Sequence, residues 1–288
     1  MDESKIIIIG ANGQLGKALC LKYPKAQAVD SSQLDISNAQ QVDSYDWSNI
    51  LVILNAAAYT KVDEAETANG RLASWAINAV GVSNLARIAI TKKITLLHVS
   101  TEYVFDGTNR LHSEHEAFSP LGVYGQTKAA GDIAVGLVPQ HYILRTTWVI
   151  GDGNNFVRNM IGLGSKGVSP TVVNDQVGRL TFTPELVRAI DHILHEQPVF
   201  GTYNVSNGGE SANWADITRE IFTLGDFTDL TVSDTSTEEY FASKPDSAPR
   251  PLQSTLDLSK IEATGFEPTD WRHELKFYIA NEIQGGTQ

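Results

Sequence analysis

The chain has 288 residues, 42% of them hydrophobic and 19% charged, which excludes disordered and collagen-like chains and suits one large domain or two unequal ones. Its 22 basic and 34 acidic residues leave a net charge of −12, so the molecule repels phosphate polymers and nucleic acid is set aside as a partner. An anionic small ligand must then be held locally, by helix N-termini and a few arginines.

The N-terminal isoleucine run, residues 6–9, is too short for a signal peptide or a membrane span. The single cysteine, Cys20, permits no intramolecular disulfide and fits a reducing compartment. The expectation is a soluble cytoplasmic protein without a membrane partner. Short β-branched runs then alternate with longer helical stretches, the pattern of parallel strands joined by right-handed crossovers. Strands are predicted at residues 5–10, 27–30, 51–55, 95–99 and 142–145, and helices at 14–22, 38–45, 71–91 and 123–138. After Trp148 the rhythm changes, although a helix at 184–195 and a strand at 201–206 return the chain to the sheet.

The first strand runs into Gly10-Ala11-Asn12-Gly13-Gln14-Leu15-Gly16 and then a helix. Glycines at that spacing allow a tight turn, close approach of a pyrophosphate to backbone amides, and close packing of helix on strand. The cradle residues for a dinucleotide are thus Gly10, Asn12, Gly13, Gln14, Leu15 and Gly16. Asp30 ends the second strand 20 residues after Gly10, where a carboxylate accepts from an adenosine ribose and repels a 2′-phosphate. That favours NADH, while Lys17 beside the turn keeps NADPH open; the alternative for Asp30 is a cap or surface turn. Asp35 and Ile36 have two readings as well, against an adenine ring or, for Asp35, as the cap of the helix near Asn38. The predicted fold class is α/β, a doubly wound parallel Rossmann sheet with a smaller, interleaved C-terminal substrate domain. Residues 1–150 and 183–207 would form the dinucleotide-binding domain, and 151–182 and 208–288 the substrate-binding domain.

Tyr124 and Lys128 stand at i and i+4, on one face of a helix. An ammonium beside a phenol favours the phenolate, which would bring Tyr124 toward the working pH as a general acid or base. The pair follows Val99-Ser100-Thr101, where a parallel strand ends and the Thr101 hydroxyl can meet the same substrate oxygen.

With these residues the sequence resembles the extended short-chain dehydrogenase/reductase family, and within it the dTDP-4-dehydrorhamnose reductases. Besides the glycine turn, the resemblance rests on Asn55-Ala56-Ala57-Ala58-Tyr59-Thr60-Lys61-Val62-Asp63-Glu64-Ala65-Glu66 and Ser100-Thr101-Glu102-Tyr103-Val104-Phe105-Asp106-Gly107. It continues through Arg145-Thr146-Thr147-Trp148-Val149, Gly153-Asn154-Asn155-Phe156, Asn174-Asp175-Gln176 and Arg250-Pro251-Leu252-Gln253-Ser254. It implies NADH- or NADPH-dependent reduction of the C4 ketone of dTDP-4-dehydro-L-rhamnose, the last step toward an activated sugar for cell-wall polysaccharide. Tyr124 would protonate the alkoxide, Lys128 would tune Tyr124 and hold the nicotinamide ribose, and Thr101 would orient the carbonyl. Ala56, Ala57, Ala58, Tyr59 and Ser100 would lie against the cofactor. Glu102, Tyr103, Val104, Trp148, Asn154 and Asn155 would line the sugar and base. Arg158, Arg179 and Arg250 would face the pyrophosphate, with surface salt bridges as their alternative.

Three positions depart from the pattern. Glu102 stands where much of the family has Asp, Val177-Gly178-Arg179-Leu180-Thr181 replaces a more usual Y-G-x-P-T, and Ala18 occupies the position of a glutamate that some members use in a magnesium-linked dimer; no metal is expected. A 4,6-dehydratase would need an adjacent Asp-Glu pair where this chain has Glu102-Tyr103. A non-catalytic regulatory subunit of the methionine adenosyltransferase type stays open, as does another nucleotide-sugar as substrate. The resemblance also suggests a 3,5-epimerase, as a partner or a fused domain, to supply the substrate. His112, His115, His192 and His195 match no zinc motif.

Overall fold

The computed structural model describes residues 2–244 and 246–285. Strand β1 (Ile6–Ile9) leads to α1 (Gln14–Lys22), β2 (Gln27–Val29), α2 (Ala39–Ser44) and β3 (Val52–Asn55). Next come α3 (Ala68–Trp75), α4 (Val82–Lys92), β4 (Thr95–Thr101), α5 (Val123–Val135) and β5 (His141–Thr146). After an excursion the chain returns through α7 (Thr183–Glu196) to β10 (Gly201–Asn204). The six strands form one parallel sheet in the order β10-β5-β4-β3-β1-β2.

All four isoleucines of β1 are buried, as a central strand covered on both faces requires. The period of two sends Ile6 and Ile8 into one core with Leu19 of α1 and Ile190 of α7, and Ile7 and Ile9 into another with Val42 of α2 and Leu85 of α4. Each such burial contributes about 1.5–3 kcal/mol before the cost of ordering the chain. Connections leave β1 and β3 toward opposite sides, so a crevice opens beyond their C-terminal ends. Gly10 and the Ala56-Ala57-Ala58 run sit there.

The helix predicted at 71–91 is interrupted by a π-helical stretch, Ala76–Gly81, and the helix predicted at 123–138 stops at Val135 with Gly136 as its cap. The excursion and the tail supply three ribbons: β6 (Val149–Ile150) with β9 (Thr181–Phe182), β7 (Thr171–Val173) with β12 (Ser233–Thr235), and β8 (Val177–Gly178) with β11 (Ala212–Asn213). They also supply α6 (Phe156–Ser165), α8 (Trp214–Leu224), α9 (Thr237–Phe241), α10 (Ser259–Glu262) and α11 (Trp271–Gly285). A third core, including Val157, Ile217, Phe222, Trp271 and Leu275, joins α6, α8 and α11. The 177–181 segment runs beside the Arg250–Ser254 motif, with Val177 N donating to Leu252 O and Ser254 N to Val177 O. Among the described residues, no helix is long and apolar enough to cross a membrane.

Candidate active site

The glycine turn is shaped by missing side chains. Gly10 has φ +84°, and a Cβ there would lie 2.6 Å from the Ala57 amide nitrogen. At Gly16 a Cβ would lie 2.1 Å from Gly10 O, so α1 can approach β1 this closely only with glycine. Gly13 caps α1 without a side-chain hydrogen bond, which leaves first-turn amides, including those of Gln14 and Leu15, facing the crevice as donors for an anion. This cradle fits a dinucleotide pyrophosphate.

Asp30 lies at the crevice rim, where its carboxylate accepts from Asn12 Nδ2 and from the hydroxyl and amide of Ser32. The Ser32 bonds, followed by Asn12, hold that carboxyl below its usual value. Asp35 instead closes a turn onto Ser37, while Asn38 caps α2, so the cap reading for Asp35 is corrected. Ile36 is buried under Gly81, which leaves little of its surface for a ring.

Across the crevice, β4 ends at Thr101 and turns through a 3-10 segment, residues 102–104. Helix α5 is drawn against that turn because Gly125 has no side chain; a Cβ there would meet Tyr103 O at 2.2 Å. Its N-terminus is held by Glu66 Oε1, which accepts from Val123 N at 2.7 Å. These contacts bring Tyr124 to the end of β4, with its ring 5.4 Å from that of Tyr103. Thr101 Oγ1 donates to Glu102 Oε2 at 2.8 Å, and Thr147 Oγ1 donates to Glu102 Oε1 at 2.9 Å.

Glu102 is 2% exposed, so it lies beneath the site and is not a substrate-lining side chain. Burial pushes its carboxyl up to about 7, against the two threonine hydroxyls. Val104 is also corrected: it is fully buried in the core with Phe105.

The expected lowering of Tyr124 by Lys128 is not what the structure holds. Burial, then the charge of Glu102, raises the phenol above its ordinary value. Lys128 is 1% exposed and donates from Nζ to Val99 O at 2.7 Å. Burial brings its ammonium down to about 8. The arrangement therefore presents a neutral phenol, a proton donor, at neutral pH.

Several supporting residues escaped the sequence reading. Asn78, in the π-helical stretch, accepts from Tyr59 N at 2.8 Å and donates to Tyr59 O and Thr127 Oγ1, tying the cofactor-side loop to α5. Beneath Lys128, His98 Nε2 lies 3.3 Å from Nζ. Ala57 N occupies Asn55 Oδ1, so the Asn55 amide group points at His98 Nδ1 at 2.9 Å and makes it the acceptor. The ring is held neutral by burial and by Lys128. Asp132 and Arg145 form a buried pair at 3.0 Å alongside. The available signal was a polar residue inside an apolar run: Asn78 between Ile77 and Ala79, and His98 between Leu97 and Val99.

The expected substrate contacts are mostly engaged within the chain. Asn155 caps α6 through Arg158 N, and its amide donates to Gly151 O and Tyr278 Oη, so it is a structural cap; Asn154 beside it is exposed. Trp148, at φ +44°, stacks on Trp214 with centroids 3.7 Å apart. Arg158 forms a fork onto Glu282 at 2.7 and 2.8 Å, and Arg250 NH2 contacts both Asp63 oxygens at 2.8 and 2.9 Å. For these two arginines the salt-bridge alternative holds as drawn. Arg179 differs: its buried Nε has no hydrogen-bond partner among the described residues. A 230 Å³ cavity between α6, β7 and α8 is walled by Phe156, Met160, Leu163, Val173, Trp214 and Phe241.

Residues 4–283 match the family described as the RmlD substrate binding domain. The dTDP-4-dehydrorhamnose reductase of Aggregatibacter actinomycetemcomitans is 36% identical over 294 aligned positions, covering 95% of this chain and 97% of that protein. A dTDP-4-dehydrorhamnose reductase from Clostridium acetobutylicum superposes with a TM-score of 0.88 at 36% identity, covering 97% and 99% of the two chains. The Bacillus anthracis enzyme of the same name, solved with NADP, gives 0.85 at 33% identity, covering 96% and 98%. The chain belongs to the RmlD substrate binding domain family.

Proposed function

We propose that the protein reduces the C4 ketone of dTDP-4-dehydro-L-rhamnose to dTDP-L-rhamnose with NADH or NADPH. The observation that carries this reading is the meeting of Tyr124 and Thr101 at the end of β4, opposite the glycine cradle at the end of β1. The names of the relatives supply the sugar nucleotide. The Gly10–Gly16 turn and Asp30 would hold the cofactor, which supplies hydride for the sugar C4.

The chain's own residues do the rest. Tyr124, a raised and therefore protonated phenol, gives its proton to the oxygen that becomes the C4 hydroxyl. Thr101 presents its hydroxyl to the same oxygen, and Lys128, anchored on Val99 O, would hold the nicotinamide ribose. Arg179, whose buried Nε is unpaired among the described residues, is a candidate for the pyrophosphate. Arg250 would reach one only by sharing or leaving Asp63. The aromatic cavity suits the flat, methylated face of thymine.

The domain division fits this assignment. Residues 1–150 with 183–207 would carry the cofactor, and 151–182 with 208–288, built around the third core, the sugar nucleotide. A cytoplasmic location and supply by a 3,5-epimerase, separate or fused, belong to the same proposal. The test is the fall in absorbance of NADH and of NADPH with enzymatically generated dTDP-4-dehydro-L-rhamnose, the epimerase being added separately. Rapid oxidation with dTDP-L-rhamnose as product is the expected result. No oxidation with nucleotide binding intact would favour a non-catalytic subunit.

A further inference from the structure

Thr101 has one hydroxyl proton, and the structure assigns it to Glu102. Oγ1 donates to Oε2 at 2.8 Å, while the opposite carboxyl oxygen takes the Thr147 hydroxyl at 2.9 Å and the Tyr103 amide donates into Thr101 Oγ1 at 3.2 Å. In that state Thr101 can accept from a neighbour but has nothing to donate to a ketone oxygen. A carbonyl being reduced gains negative charge and needs donors, so the drawn arrangement is the wrong one for the reaction. If Glu102 is protonated, its own O–H satisfies one threonine oxygen and the Thr101 hydroxyl is free to turn to the substrate.

We propose that Glu102 is a positioning residue whose protonation releases Thr101 to donate to the C4 oxygen, and whose ionisation withdraws it. The inference rests on the reductase reading.

The surroundings favour the neutral form. Glu102 is 2% exposed, and among the described residues it has no ion-pair partner. The groups around it are Thr101 on β4, Thr147 after β5, Tyr103 on its own turn, Tyr124 on α5 and His112 on the following loop. His112 is the one potential cation among them, and its ring nitrogens are engaged by Glu116 and Gln253 O. Burial pushes the Glu102 carboxyl up to about 7, so it changes state in the range where a cytoplasmic enzyme works. An ionised Glu102 also raises the Tyr124 phenol, so both proton donors to the substrate weaken together.

The test is the pH profile of kcat for the wild type, E102Q and T147V, each normalised to its own value near pH 5.5. The wild type should lose activity above neutrality, about thirtyfold by about pH 8.5 for a single group titrating near 7. E102Q, which cannot ionise, should lose that limb. T147V removes a hydrogen bond to the charged form, so its limb should move to higher pH; a limb owned by Tyr124 or Lys128 would stay in place.

A second readout is independent of turnover. A carboxyl raised from 4.5 to about 7 on folding contributes stability that is complete below the lower value and is lost as pH rises through the upper one. The urea midpoint of the wild type should therefore fall relative to E102Q over that interval.

A wild-type limb that persists at the same midpoint in E102Q, an unshifted limb in T147V, or parallel urea profiles would overturn the inference. If E102Q fails to fold, T147V decides. A wild type inactive at every pH, with the expected urea divergence, removes the reductase reading itself and this inference with it.

Discussion

The two walls of the crevice are built by opposite means. At the end of β1 the site consists of what is missing: Gly10 at φ +84°, Gly16 against Gly10 O, and Gly13 as a cap without a side chain. At the end of β4 it consists of buried polar side chains that bind one another, Thr101 and Thr147 on Glu102, Asn78 on Thr127, and Lys128 beside His98. A backbone cradle has few states and works by geometry alone. A hydroxyl–carboxyl network has several proton arrangements, and its chemistry depends on which one is occupied. Binding of the cofactor and protonation of the sugar should therefore respond to different mutations.

The largest separation is expected at Tyr124. Tyr124→Phe should lower turnover by about 10²–10⁴-fold while fluorescence titration finds cofactor affinity within a few-fold of wild type; retained turnover would remove Tyr124 as the proton donor. The reciprocal experiment is Gly10→Ala, where positive φ and the 2.6 Å approach to Ala57 forbid the new methyl without a backbone shift. Strain of about 1–3 kcal/mol and loss of detectable cofactor binding are expected, read by urea unfolding and by the same titration. Unaltered affinity would mean that the cradle is looser than drawn.

Smaller effects probe the sugar-nucleotide side. Arg250→Ala should raise KM for the nucleotide sugar by about tenfold if Arg250 reaches the pyrophosphate, consistent with the loss of one charge-assisted hydrogen bond. Asp63→Asn, which weakens the competing pair, should leave KM unchanged or lower it. Equal increases in both variants would show that the Arg250–Asp63 pair acts only to hold residues 248–250 against the 63–66 turn. The smallest change is expected at Asp30. If Asp30 faces the 2′ position of the adenosine ribose, Asp30→Asn should shift the NADPH-to-NADH ratio of kcat/KM toward NADPH by up to about tenfold, or about 1.4 kcal/mol. An unchanged ratio would assign cofactor choice to other residues.

Much of the scaffold was legible because parallel strands and amphipathic helices announce themselves locally. The isoleucine run of β1, the glycine spacing, and the four-residue step from Tyr124 to Lys128 need only neighbours in sequence. The π-helical stretch around Asn78 was not legible, since its helix reads as continuous until Asn78 is required to reach Tyr59 and Thr127. The same limit applied to the substrate residues. Nothing near Asn155 announces Tyr278, 123 positions away, nor does Arg158 announce Glu282, 124 away.

The sequence by itself determined the sheet, the glycine turn and the four-residue step that puts Tyr124 and Lys128 on one helix, because backbone conformation and i, i+4 spacing are short-range properties. Only the tertiary structure decided the protonation chemistry. Burial raises Tyr124 where spacing to Lys128 predicts a fall, and it places Glu102 beneath Thr101 instead of beside the substrate. Desolvation depends on everything that packs around a group, and those neighbours arrive from β4, α5 and the end of β5, segments that meet only once the chain has folded.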